Sequence, residues 1–294
     1  MPTILLTIHT TSVDAPDIEQ LLLEQGALAI SYKDAQNEPI FEPGKGEEPL
    51  WSKLYLSALF EETSDISKIK TILQTRFPHL LNYTTDETLQ DQHWERAWLK
   101  DYEPVKISDK LWICPSGHTI PEKNATTVFL DPGLAFGTGT HPTTHLCLER
   151  LSKMDLSNKT IIDFGCGSGI LAITAIKLGA AKIYAIDNEP QALVATIDNM
   201  QRNNISPDCI ETYLPRDAPS SVNADILVAN ILASTLVALS STLCRMSKPQ
   251  GQIILSGILQ HQTGAVITAF QKEVDFDVPQ QKEEWIALMG TKKT

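Results

Sequence analysis

The segment Thr160-Ile161-Ile162-Asp163-Phe164-Gly165-Cys166-Gly167-Ser168-Gly169 limits what this chain can fold into more than any other stretch. An apolar, β-branched run ends in an acid, three glycines follow at alternate positions, and an apolar stretch over 170–178 runs to a stop at Gly179. That order reads as strand, tight turn and helix. Glycine lets the backbone turn with positive φ and come close to a ligand, while the helix start presents unsatisfied amide N–H groups. The next apolar run, over 182–187, predicts a second strand. It ends in Asp187, 22 residues after Gly165, where a carboxylate in an open parallel sheet accepts hydrogen bonds from both ribose hydroxyls. The expected class is α/β, doubly wound, with a mostly parallel seven-stranded sheet.

A nicotinamide-binding domain also has strand, glycines, helix and a distant acid, but the spacing differs. Here it is D-x-G-x-G-x-G rather than the G-x-G-x-x-G that seats a pyrophosphate. S-adenosylmethionine has no pyrophosphate, and a turn of this spacing with an acid at the strand end suits its amino-acid moiety. A further strand over 224–230 places Asn230 at its C-terminal end, the ligand-binding side of such a sheet. The amide oxygen of Asn230 can accept a hydrogen bond from an amine and so aim the nitrogen lone pair at a methyl group. The competing role is N-cap of a helix over 232–243.

Upstream, residues 131–144 (DPGLAFGTGTHPTT) hold three glycines within seven positions, with Phe136 among them. Thr140 to Thr144 brings hydroxyl caps and a first-turn proline, so a loop able to cover a polar ligand leads into a helix. His141 and His145 are four apart like a metal pair, but no third ligand of suitable type is nearby and no metal site is expected.

The 294 residues predict one large and one small domain. The N-terminal part reads as strand (3–8), helix (from Asp14-Ala15-Pro16), strand (28–32), strand (54–60), helix (64–77) and strand (about 80–84). This βαββαβ order matches the ferredoxin-like α+β motif, a scaffold frequent in recognition domains. Residues 88–102, with Trp94 and Trp98 one turn apart, read as an amphipathic connector helix ending before Pro104. The expected organisation is 1–87 as the small domain, 88–103 as linker and 104–294 as the cofactor-binding domain, whose first strands fall over 106–114 and 126–130.

Composition narrows the function further. A formal charge of −12 disfavours phosphate-backbone binding, which depends on basic side chains releasing counterions, and makes a cationic partner easier to attract. Five scattered cysteines give neither a disulfide framework nor a zinc pattern. The longest nearly apolar run, 226–239, is shorter than the roughly 20 residues of a membrane helix. The N-terminus has no basic region before its apolar residues. A cytoplasmic, monomeric protein with no membrane association is the expectation.

Read together, LWICP at 111–115, LDPGLAFGTGTHPTT at 130–144, IDFGCGSGILAI at 162–173 and VANILA at 228–233 resemble the ribosomal protein L11 methyltransferase family, mainly over the catalytic domain. The resemblance implies S-adenosylmethionine as methyl donor. It also implies trimethylation of the N-terminal α-amino group and lysine side chains of one large-subunit ribosomal protein, with a small N-terminal recognition domain on a helical linker. RNA or another protein is the alternative substrate. The resemblance puts Thr144, Gly165, Asp187 and Asn230 at the cofactor, with Phe136 and Gly137 in the covering loop; Gly167 belongs to the same turn. Asn230 is followed by Ile231-Leu232 where many amine and amide methyltransferases carry two prolines and an aromatic residue, which implies a roomier site open to several amines.

Overall fold

The computed structural model describes residues 2–36, 38, 40, 49–80, 84–89, 103–120, 122, 124–130, 137, 139–219 and 222–294. They fall into two compact units, Met1–Ala97 and Trp98–Thr294.

In the first unit the chain runs β1 (Thr3–Thr11), α1 (Ala15–Glu24), β2 (Ala29–Asp34), β3 (Lys53–Glu61), α2 (Ile66–Arg76), a 3₁₀ turn (Pro78–Leu80) and β4 (Thr84–Leu89). The antiparallel sheet has the order β2-β3-β1-β4. Burial alternates along its central strands: Leu6 and Ile8 of β1 and Leu54, Leu56, Ala58 and Phe60 of β3 are buried. They join one apolar cluster with Ile18, Leu21 and Leu22 of α1 and Ile69 and Leu73 of α2. Each helix start carries a local signal. Pro16 sits in the first turn of α1, and the Asp65 side chain accepts from Lys68 N at 3.0 Å.

The last strand departs from its expected place over 80–84. Pro78 cannot donate to a helix and Phe77 before it is pushed out of helical geometry, so the chain makes a short 3₁₀ turn. Strand β4 then begins four residues later than expected. Its sequence, TTDETL, is mostly exposed and, among the described residues, pairs with β1 alone, a polar edge strand with no apolar alternation to read. Thr88 and Leu89 therefore lie in a strand rather than in the expected connector helix; the remainder of that helix, 90–102, lies outside the described residues.

The second unit opens with a small sheet of β5 (Val105–Ser108), β6 (Leu111–Cys114) and β7 (Thr126–Phe129). The single strand expected over 106–114 is a hairpin, because Asp109-Lys110 forms a turn and β5 and β6 pair antiparallel. Next come α3 (Pro142–Lys153), β8 (Thr160–Phe164), α4 (Ile170–Lys177), β9 (Lys182–Ile186), α5 (Pro190–Arg202), β10 (Ile210–Tyr213), β11 (Ala224–Asn230), α6 (Ala233–Arg245), β12 (Ser247–Leu259), a 3₁₀ turn (Gln260–Gln262), α7 (Thr263–Phe270), β13 (Val274–Phe276), β14 (Gln280–Lys282) and β15 (Trp285–Lys292).

The main sheet has the order β10-β9-β8-β11-β12-β15-β13, with β14 pairing β15 as an eighth strand. The ladders from β10 to β12 are parallel and those of β15 antiparallel. Successive residues bury on opposite faces. Ile161, Val228 and Ile254 join Leu148 and Leu151 of α3 and Ile170 and Ile173 of α4. Ile162, Leu227 and Leu255 join Leu236 and Leu243 of α6 and Val266 and Phe270 of α7. The result is a three-layer doubly wound unit. From β8 the chain winds one way through β9 to β10 and then crosses back to β11 and β12, so the strand order reverses between β8 and β11. A crevice opens at the carboxyl ends of the strands flanking such a switch point.

Candidate functional site

At that switch point the ends of β8 and β11 lie in register, Phe164 beside Ala229, and the glycine turn springs from β8. Gly165, Gly167 and Gly169 all have positive φ, at 79°, 53° and 77°. The turn is pinned to β9: Gly165 N and Cys166 N donate to Ile186 O at 2.7 and 3.1 Å. Gly167 N donates to Asp187 Oδ2 at 2.9 Å. Asp187 is nearly buried, and its Oδ1 accepts from Glu189 N at 3.0 Å. Each carboxylate oxygen keeps a second lone pair for a further donor.

On the other side of the switch point, Asn230 Nδ2 donates to the buried Thr144 Oγ1 at 3.2 Å. The cap of α6 is Leu232, without a side-chain cap bond, so Asn230 is not the N-cap of that helix. Its amide is instead committed to the first turn of α3. The cap of α3 is His141, whose Nδ1 accepts from Thr143 N at 3.4 Å, in place of the threonine hydroxyl suggested by the sequence. The His141 ring also lies edge-on to Trp285, with centroids 5.1 Å apart. Burial lowers the pKa of both His141 and His145. Among the described residues no group of three or more His, Cys, Asp or Glu is placed to hold a metal ion.

Gly137 is buried, with φ of 105°, and its carbonyl accepts from Ser168 Oγ at 2.6 Å. Gly137 is thereby tied to the glycine turn. A Cβ at Gly137 would stand 2.8 Å from that hydroxyl. Phe136 lies outside the described residues, as do 131–135 and 138. Of the sequence-predicted site residues, the structure therefore groups Gly137, Gly165, Gly167 and Asp187 around the glycine turn after β8 and pairs Thr144 with Asn230 at the end of the neighbouring β11.

Three features take their meaning only from the structure. Asp163, the acid before the turn, is fully buried. Its Oδ2 accepts from Ala172 N at 3.0 Å and its Oδ1 has no hydrogen-bond partner. Desolvation pushes its carboxyl up to about 7, against the pull of that backbone bond. Second, α5 faces the turn with a polar stripe: Thr196 Oγ1 donates to Gly167 O at 3.1 Å and Asn199 Nδ2 to Ser168 O at 2.9 Å. One turn further, Asn203 Nδ2 donates to Phe129 O at 2.6 Å. The spacing of 196, 199 and 203 is a helical stripe visible in the sequence. Third, Ile231 is wedged between two glycines: a Cβ at Gly165 would stand 2.2 Å from Ile231 Cγ2, and one at Gly257 2.3 Å from Ile231 O. The segment after Asn230 is held by packing rather than by prolines.

A doubly wound sheet with this strand order, an acid and a three-glycine turn at the switch point, and an asparagine at the end of the neighbouring strand defines a methyltransferase-type α/β fold. The particular family follows from comparison with known proteins. The sequence model of ribosomal protein L11 methyltransferase (PrmA) matches residues 2–293. Curated relatives named ribosomal protein L11 methyltransferase include one from Aliivibrio fischeri, 46% identical over 300 residues and covering all of both chains. Another, from Escherichia coli, is 45% identical over 298 residues, 99% of this chain and all of the relative. A crystal structure of a ribosomal protein L11 methylase from Lactobacillus delbrueckii subsp. bulgaricus is 33% identical, with a TM-score of 0.60 over 66% of this chain and all of that one. The chain belongs to the ribosomal protein L11 methyltransferase family.

Proposed function

We propose that this chain transfers methyl groups from S-adenosylmethionine to amino groups of ribosomal protein L11, carrying the N-terminal α-amino group and lysine side chains to the trimethylated state. The observation that carries the reading is the pairing of Asn230 with Thr144 across the switch point from the glycine turn and Asp187. With Nδ2 given to Thr144, the remaining polar atom of the Asn230 amide is the acceptor Oδ1, which can take an N–H from the target amine and orient its lone pair.

The donor set suits S-adenosylmethionine. Asp187 keeps acceptor capacity for ribose hydroxyls, Gly165 and Gly167 give bare backbone to the amino-acid moiety, and Asp163 offers a buried oxygen without a partner. When bound, S-adenosylmethionine supplies an electrophilic methyl carbon on a sulfonium. The protein's own work is placement and water exclusion. A target amine of pKa near 10 must reach the site as the neutral base, and a covering loop through Phe136 and Gly137 favours that form by raising the cost of charge.

We assign target recognition to the N-terminal unit, whose sheet runs to Leu89 at the end of β4, and catalysis to the unit that follows it. Sixteen of the 36 acidic residues but only seven of the 24 basic ones lie in Met1–Ala97, so that unit carries −9 of the net −12. Such a field attracts a basic protein and repels nucleic acid. No described helix is long and apolar enough to cross a membrane; a ribosomal target supports a cytoplasmic location.

Intact-mass spectrometry of unmethylated L11 incubated with this enzyme and S-adenosylmethionine tests the reading. A ladder of single methyl additions completing in groups of three is expected. An unchanged mass, with S-adenosylmethionine binding intact by calorimetry, overturns the substrate.

A further inference from the structure

The sheet edge that carries Asn230 also carries an aromatic pair, Trp285 and the α3 cap His141. Trp285 opens β15 and pairs in register with Leu259 of β12, which places it at the carboxyl edge of the parallel strands, two strands from Asn230. Its indole meets the His141 imidazole edge to face, with 64° between the planes. His141 stands three residues before Thr144, its Nδ1 2.8 Å from Thr143 Oγ1. Ser256, the register partner of Asn230, is fully buried. Its hydroxyl lies 3.2 Å from Thr143 O and 3.4 Å from Ile286 O. One hydroxyl thus ties the first turn of α3 to the residue after Trp285, and the positions of Asn230, His141 and Trp285 are fixed relative to one another. Both residues are only partly buried. Glu283 and Glu284 immediately precede Trp285.

We propose that Trp285 and His141 form the acceptor-side wall that holds the partly methylated amine, and so set how many methyl groups are added before release. The inference rests on the amine-methylation reading above and names a specificity device for it. Its logic is chemical. Asn230 Oδ1 holds an amine only through an N–H. Each methyl replaces an N–H with apolar surface, and the neutral dimethylated target, a tertiary amine R–N(CH3)2, has no N–H left. In the last round the dimethylammonium gives its proton to water, its lone pair forms the new N–C bond, and the electron pair of the donor's broken C–S bond stays on sulfur. A group that grows more apolar and finally permanently cationic is held by an aromatic surface, through dispersion and cation–π attraction, where hydrogen bonding fails. Burial lowers the pKa of His141, so near neutral pH the imidazole is uncharged and does not repel that cation.

The test reads the distribution of methyl states rather than total activity. Wild type, Trp285→Phe and Trp285→Leu are each incubated with unmethylated L11, and the mono-, di- and trimethyl forms are counted by peptide mass spectrometry at equal total methyl transfer. Trp285→Phe is expected to keep trimethyl as the main product. Trp285→Leu is expected to accumulate mono- and dimethyl forms, with S-adenosylmethionine affinity by calorimetry changed less than twofold. An unchanged distribution in a folded Trp285→Leu overturns the proposal. A second measurement needs no variant. Calorimetry compares wild-type affinity for a trimethyllysine peptide and for the same peptide bearing the neutral tert-butyl isostere. Roughly two- to fivefold preference for the charged form is expected, the range of a part-exposed cation–π contact; equal binding overturns the aromatic wall. A wild-type enzyme that leaves L11 unmethylated overturns the underlying reading instead, so the two failures are separable.

Discussion

Gly165 is the position where fold and site depend most directly on one missing atom, and Gly165→Ala exposes that dependence. The backbone there has φ of 79°, a region that costs an L-residue roughly 1–2 kcal/mol. The added Cβ would also stand 2.2 Å from Ile231 Cγ2. Ile231 cannot simply withdraw, because its carbonyl already packs where a side chain at Gly257 would go, 2.3 Å from that Cβ position. Overpacking a tight core position typically costs about 1–3 kcal/mol, so Gly165→Ala should lose roughly 2–5 kcal/mol. The two contributions separate in a double-mutant cycle. Ile231→Ala removes the clash and leaves the backbone strain, so the double variant should recover about 1–3 kcal/mol relative to the sum of the single changes. Urea titrations read by far-ultraviolet circular dichroism give the midpoints at constant slope. A loss below about 0.5 kcal/mol for Gly165→Ala, the range of an ordinary surface change, would refute the reasoning. So would strictly additive effects of the two substitutions.

The other predictions concern the site. Asn230→Ala should lower kcat on the order of 100-fold through lost orientation while S-adenosylmethionine affinity by calorimetry moves little; a collapse of affinity with kcat preserved would sink the orienting role. Asp187→Ala removes the acceptor we propose for ribose hydroxyls and the partner of Gly167 N, so cofactor affinity should fall roughly tenfold or more, and unchanged binding would exclude the ribose assignment. Asp163 has an ordinary pKa of 3.8 that burial lifts to about 7 in the folded chain. The native state therefore holds a proton that the unfolded state has lost between those values. This group's stabilising contribution is full below pH 3.8 and is lost as pH rises through 7. Asp163→Asn should accordingly be more stable than wild type above pH 7, with the advantage vanishing toward pH 4; thermal melts showing a pH-independent difference would rule out desolvation as the cause. Finally, kcat/KM for L11 should fall as ionic strength rises, because screening weakens the field of the acidic N-terminal unit. Insensitivity between low and physiological salt would remove electrostatic steering.

The parts of this architecture that were legible in the sequence are those where one residue type answers a local demand. Three glycines at alternate positions after an apolar run can serve little other than a positive-φ turn, and Asp187 at the next strand end follows from the geometry of a βαβ unit. Elements whose signal is tertiary were harder to read. Strand β4 is polar because it is an edge, and its place is set by the ladder to β1 rather than by its own pattern. The turn at Asp109-Lys110 divides what reads as one strand because the partners of β5 and β6 lie elsewhere in the sequence. At the site, the Asn230 amide is engaged by Thr144, 86 residues away, and the helix cap falls to Leu232, so no local rule could have excluded the cap. The same holds for Ile231. Viewed alone it is an apolar residue standing where related sites use proline, and it suggests a looser segment. Its wedge needs Gly165 and Gly257 together, from two strands on either side of β11. Rigidity that proline supplies through its own ring is supplied here by the absence of two neighbours' side chains, and an absence of that kind acquires meaning only once the strands are paired.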